Sequence, residues 1–179
     1  MRTALSAAVF LLSAVAAVPA EQLAEPVKVG ALTFAVPEGW KTVTPSSSMR
    51  KAQLEIAKGS DKAEVTFFQF GAGQGGSVAE NVARWFAQFP GNDDKRKTEN
   101  VQAGPVKITY VTTEGTFSSG MPGGPTTPMT GYALCGAILE SADGNVFIKM
   151  TGPEALVKSS TEAFKKMVSE AAKGTAPRA

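Results

Sequence analysis

Residues 132–151 read YALCGAILESADGNVFIKMT. Two apolar runs, Tyr132 to Ser141 and Asn145 to Thr151, flank Asp143-Gly144, a pair that accepts the positive φ angles of a tight hairpin turn. Placing that pair at the turn centre sets Leu139 opposite Ile148, Ala137 opposite Met150 and Ile138 opposite Lys149. Both faces of the hairpin are then largely apolar, so a sheet built on it needs a covering layer on each side.

Upstream segments show the same period. Val27 to Val36 holds two short β-like pieces around Gly30, which read as a hairpin ending at the turn Pro37-Glu38-Gly39-Trp40. Ala52, Leu54 and Ile56 alternate before the turn Gly59-Ser60-Asp61-Lys62, and Ala63 to Phe70 completes a second hairpin. Val65 and Phe67 point one way while Thr66, Phe68 and Phe70 point the other, the pattern of an interior strand. Val106, Ile108 and Tyr110 alternate again, and Gly115-Thr116-Phe117 either prolongs that strand or begins its neighbour. The polar run Asn92 to Asn100 reads as a solvated loop, and Ser118 to Thr130, rich in glycine and proline, as a break in regular structure.

Two segments supply the cover. Ser77-Val78-Ala79-Glu80 has capping-box spacing, and Val78, Val82, Trp85, Phe86 and Phe89 fall on one helical face until Pro90-Gly91. Pro153 opens a last helix with a stripe of Leu156, Ala163, Phe164, Met167, Val168 and Ala171. The fold class expected is α+β: a three-layer α/β/α sandwich around a mainly antiparallel sheet.

Residues 1–20 read as a secretory leader: Arg2, an apolar stretch from Ala4 to Val18, and the small-residue close Val18-Pro19-Ala20. The stretch is shorter than the roughly 20 residues of a spanning helix, no later segment approaches that length, and no cysteine stands at the junction for lipid attachment. The expected product is residues 21–179, periplasmic or extracellular, with one domain over 21–173 and a flexible tail at 174–179.

The full chain of 179 residues carries 18 Lys and Arg against 16 Asp and Glu, no histidine and one cysteine. A net charge of +2 is far from the concentrated positive field that nucleic acid requires, so DNA and RNA are not the expected partners. Without histidine the commonest general base and metal ligand are missing, and one cysteine closes neither an internal disulfide nor a thiolate cage. A lysine-activated serine or a carboxylate pair assembled in space stays open, but no motif marks one.

The stretches 32–40 (LTFAVPEGW), Met49-Arg50, 81–89 (NVARWFAQF) and 147–153 (FIKMTGP) resemble an exported bacterial family of uncharacterised function. Its fold resembles the PsbP-like superfamily, which includes the extrinsic PsbP subunit of photosystem II and a nuclear import factor that binds the GTPase Ran. The resemblance implies a PsbP-like sandwich that acts through partners rather than by catalysis. It carries over no functional residues, because the binding motifs of those proteins match no positions here.

Several residues are candidates for binding. Asn81, Arg84 and Gln88 share a helical face bordering Trp85; they either satisfy carbonyls and pack against a loop around a core Trp85, or form a recognition edge for carboxylates, phosphates or a partner. Lys149 falls on the face expected to hold Leu134, Ile138 and Phe147. Its ammonium either reaches past the helix layer to solvent or is held in a cavity with an acidic partner or an anionic ligand. Arg50, after Ser46-Ser47-Ser48, is a further candidate for the same anion.

Gly71-Ala72-Gly73-Gln74-Gly75-Gly76 matches the dinucleotide pattern G-x-G-x-x-G between a strand and a helix, but the capping serine comes after the last glycine and no parallel strand follows. A glycine-rich connector is the expectation. Cys135 reads as a small core residue. Met121 and Met129 are possible copper(I) ligands, but two thioethers without histidine make no convincing site, so no metal or cofactor is expected.

The function expected is an exported, non-enzymatic binding or protein-interaction module whose partner is an envelope protein or a small anionic ligand. The alternative is an enzyme or carrier acting on a small anionic cell-envelope molecule, with Arg50, Arg84 and Lys149 as charge clamps. A cavity holding all three favours the small molecule, and an apolar patch beside Trp40 or the 118–130 loop favours a protein partner.

Overall fold

The computed structural model describes residues 24–119 and 127–174; the leader, Met121 and tail residues 175–179 lie outside the described residues. The alternation around Gly30 folds into a separate ribbon, β1 (Val27–Val29) and β2 (Leu32–Phe34), with Val27, Val29, Leu32 and Phe34 all buried on one side. After β3 (Trp40–Val43), the expected second hairpin forms from β4 (Ala52–Lys58) and β5 (Asp61–Gln69). Ser77 then caps α1 (Val78–Ala87): its hydroxyl accepts from the Glu80 backbone N–H at 3.2 Å, and the Glu80 carboxylate accepts from the Ser77 N–H at 2.7 Å.

The next two elements correct the sequence reading. Within the run expected to be a loop, Asp93–Lys95 form a 3-10 turn, and β6 (Lys97–Ala103) is an edge strand paired with β7 (Val106–Ser119). Lys97, Thr98, Glu99 and Asn100 are all exposed, so this part of the strand has no apolar alternation and is built by backbone pairing, with the polar dress that keeps a sheet edge from recruiting other chains. Regular structure also runs into the stretch expected to break it. β7 reaches Ser119 past an irregularity between Gly115 and Phe117, and β8 starts at Thr127, with Phe117 opposite Met129 and Ser118 opposite Pro128. Proline is tolerated there because β9 (Val146–Pro153) stops opposite Tyr132, leaving residues 127–131 of β8 (Thr127–Glu140) with β7 as the sole strand neighbour.

β8 and β9 form the hairpin that opened the sequence reading, with a corrected register. Ala137 faces Ile148, Leu139 faces Val146, Ile138 faces Phe147 and Gly136 faces Lys149, a displacement of two residues from the tight-turn expectation. The turn is centred one residue earlier than expected, on Ala142-Asp143: Ser141 Oγ donates to the Gly144 carbonyl at 2.6 Å, and the Gly144 N–H donates to the Ser141 carbonyl at 3.2 Å. Because the displacement is even, every side chain stays on the face assigned to it. Helix α2 (Glu154–Gly174) follows directly.

The seven long strands form one sheet in the order β3-β4-β5-β9-β8-β7-β6, with every neighbouring pair antiparallel. The central strands β5, β9 and β8 bury apolar residues on both faces. One face carries α2 and the β1–β2 ribbon, which enclose Phe67, Ile148 and Met150 together with Phe164 and Val168 of α2. The other face carries α1, whose Trp85 packs with Phe89, Val111, Leu134, Ile138 and Phe147. This is the three-layer α/β/α sandwich. Gly136 sets the spacing on the α1 side, since a Cβ there would collide with the Trp85 ring, so the missing side chain is what lets the indole lie on β8. Cys135, on the opposite face, is fully buried, and burial pushes its thiol up to about 12.

Candidate functional site

α1 is only ten residues long, and beyond its C-terminal end the sheet is open. A cavity of about 500 Å³ lies there, walled by Arg50, β4 and β5 on one side, by Phe117, Met129 and Tyr132 on the other, and floored by Lys149 and Thr151 of β9. Gln88, the C-cap of α1, reaches into it. Gln88 is fixed from two directions: its N–H donates to the Trp85 carbonyl, and its own carbonyl accepts from the Ser118 N–H at 2.8 Å. The long β7 therefore ties down the helix end that borders the cavity.

Lys149 is partly buried and lies toward α1 rather than out through solvent. Its Nζ donates to Gln88 Oε1 at 3.1 Å and stands 5.9 Å from the centroid of Phe117. That ring stacks on Tyr132 with centroids 6.1 Å apart, and Phe89 lies 5.3 Å from it. Burial, and next the nearby Arg50 guanidinium, pull the Lys149 ammonium down to about 8, with Glu64 acting in the opposite direction.

The other charges in the cavity are paired. Arg50 Nη1 donates to Glu64 Oε1 at 2.8 Å and to Gln53 Oε1 at 2.9 Å, and Gln53 Nε2 donates to Glu64 Oε2 at 3.0 Å, which closes a ring of three side chains. Lys62 Nζ lies 3.1 Å from Glu55. Lys149 alone among these cations has no carboxylate within 4 Å among the described residues. Thr151, two residues along and on the same face of β9, has a buried hydroxyl with no hydrogen-bond partner among the described residues.

Of the sequence candidates, Arg50, Gln88 and Lys149 meet at this cavity; Asn81, Arg84 and Trp85 do not line it. Asn81 is buried, and its Nδ2 donates to the carbonyls of Gly75 at 2.8 Å and Ser77 at 2.9 Å, tying the glycine-rich turn to α1. Arg84 Nη1 donates to Asn81 Oδ1 at 3.1 Å, on the side of that turn. Trp85 is 7% exposed, in the core over Gly136. The three cations thus do not converge as a set; two of them do.

The cavity also uses residues that no sequence pattern singled out. Gln53 and Glu64 had a signal, since the predicted β4–β5 hairpin places their side chains near one another on one face. Nothing local signalled that Phe117, Met129 and Tyr132 meet at a cavity, because the stretch that pairs Phe117 with Met129 reads as irregular. At the glycine-rich turn, the Ser77 N–H and hydroxyl both donate to Glu80, whose carboxyl these bonds hold below its ordinary range. The start of α1 therefore already carries its own negative charge, which opposes a phosphate there. Trp40 is buried, and Met49, 60% exposed, is the one large apolar side chain open to solvent among the described residues.

No protein-family model matches the chain, and no curated protein matches it in sequence. Solved structures similar to it include a protein of unknown function from Pseudomonas aeruginosa, at 14% identity and TM-score 0.47, covering 86% of this chain and 96% of that one. LpqN of Mycobacterium tuberculosis, involved in cell envelope biogenesis, matches at 12% identity and TM-score 0.45 over 76% of this chain and 79% of its own. The cyanobacterial PsbP of Synechocystis matches at 11% identity and TM-score 0.43, over 78% of this chain and 84% of that one. Among the described residues, no helix is long and apolar enough to cross a membrane, and no group of His, Cys, Asp or Glu is placed to hold a metal ion.

Proposed function

We propose that the chain is an exported, non-enzymatic binding module that holds a small anionic ligand in the cavity beside Lys149. One observation carries this reading: an ammonium partly withdrawn from water, donating to a neutral amide, in a cavity whose other lysine and arginine are already matched by carboxylates. Withdrawing a charge from water without a counter-charge is costly, and an incoming anion offsets that cost. A binding rather than catalytic role fits the side chains present. The two carboxylates in the cavity are engaged by Arg50 and Lys62, and there is no histidine to pass a proton. In this reading Asn81, Arg84 and Trp85 build the scaffold, and Arg50, Gln88 and Lys149 form the site.

The test is native mass spectrometry of the protein purified gently from its own host, beside the Lys149→Gln variant. The wild type is expected to carry a noncovalent mass increment that the variant lacks, and the denatured mass is expected to correspond to residues 21–179. A bare wild-type monomer overturns the ligand reading, and a denatured mass that retains residues 1–20 overturns the export reading.

A further inference from the structure

The chemistry of the same cavity narrows the ligand, in an inference that rests on the anion-binding reading. We infer that the ligand is a monocarboxylate with an apolar, ring-sized body, its carboxylate between Lys149 and Gln88 and its body along Tyr132, Phe117 and Met129.

Charge sets the first limit. Arg50 with Glu64 and Lys62 with Glu55 cancel, which leaves the single positive charge of Lys149. One ammonium matches a monoanion; a phosphate dianion calls for more positive charge or a fan of backbone donors, and the floor of the cavity is paired β-strand whose N–H groups are largely used in the sheet.

Donor geometry sets the second. Gln88 Oε1 is taken by Lys149, which leaves the Nε2 end of the amide as a donor with no partner among the described residues. Lys149 and Gln88 therefore bring donors to one end of the cavity, and the two oxygens of a carboxylate complete that pair.

Size and polarity set the third. About 500 Å³ falls within the range of small-molecule sites, about 300–1,000 Å³, and a lone inorganic ion leaves most of it empty. The wall formed by β7 and β8 is apolar, with the stacked Phe117–Tyr132 pair beside Met129. Such a wall adds affinity in proportion to the apolar surface it covers.

The test titrates the mature protein at about pH 6.5, where Lys149 is protonated, with 3-phenylpropionate, 3-phenylpropan-1-ol, acetate and inorganic phosphate, read by amide chemical shifts. Phenylpropionate is expected to bind at least about tenfold more tightly than either acetate or the alcohol, and Lys149→Met to erase its advantage over the alcohol. Shifts are expected at Gln88 and Tyr132. Phosphate or acetate binding as tightly as phenylpropionate, and lost in Lys149→Met, overturns the monocarboxylate class while leaving the anion site standing. Equal binding of acid and alcohol, or no binding of any probe by the folded wild type, overturns both.

Discussion

The two faces of the sheet are closed by different amounts of chain. On one, the 21-residue α2 and the β1–β2 ribbon cover β5, β9 and β8. On the other, the ten-residue α1 covers Val111, Leu134, Ile138 and Phe147 and stops, and the uncovered remainder of that face becomes the cavity. Over its central strands the first face is closed by a continuous core. The second is half core and half site, divided at Gln88, where the helix ends. A short helix on a long sheet thus leaves a pocket beside its end.

Substitutions on each side test that division. The largest effect is expected on the fully covered face: Phe67 is wholly buried and meets Phe34 edge-on at 5.2 Å, so Phe67→Ala should cost about 3–5 kcal/mol in chemical denaturation. A loss below about 1 kcal/mol would show that the ribbon does not seal this face. On the α1 side, Gly136→Ala places a methyl group where the Trp85 ring lies and should cost about 1–3 kcal/mol, with a change in Trp85 fluorescence. Unchanged stability and spectrum would mean that α1 rides loosely.

The smallest effect is expected in the cavity, with the opposite sign. The amine of Lys149 is held down to about 8 from an ordinary 10.5, so below about pH 8 the folded state bears the cost of a charged, partly buried amine, and above 10.5 both states are neutral. Lys149→Met should therefore be more stable than wild type by about 1–2 kcal/mol at neutral pH, the conversion being reduced for partial exposure, and this advantage should shrink as pH rises from 8 towards 10.5. An advantage that does not vary across that window would assign the gain to packing instead. Comparison of the two proteins at each pH removes the contribution of Tyr110, which titrates in the same alkaline range, its hydroxyl pushed up to about 12 by burial.

The two faces also differ in how legible they were. The α2 side followed from period alone, because Leu156, Phe164, Met167 and Val168 repeat helically and Val65 and Phe67 alternate. The α1 stripe and its capping box were equally plain. The β8–β9 pairing was readable only modulo two: alternation fixes which face Lys149 occupies, while its partner depends on how Ser141 and Gly144 shape the loop. β6 was hidden because an edge strand with exposed polar residues has no hydrophobic period to read. The cavity depends on long-range order. Arg50 comes near Lys149 only because β5 pairs with β9 across more than eighty residues of sequence, with Thr66 opposite Lys149, and no local pattern encodes that neighbour. Arg84 and Gln88 look equivalent along the helix, yet Arg84 turns to Asn81 and the glycine-rich turn, while Gln88 sits at the terminus held by Ser118.

The buried cysteine has a chemical consequence for a protein proposed to work in an oxidising compartment. Cys135 is the chain's one cysteine, and with its thiol fully buried and pushed up to about 12 the reactive thiolate is scarce at neutral pH. Folded copies are thus kept from crosslinking through it, or from capturing other thiols, as long as α2 stays docked. Covalent dimers would be a record of chains that had opened, and the rate at which Cys135 accepts a thiol reagent measures how often the α2 layer comes away from the sheet.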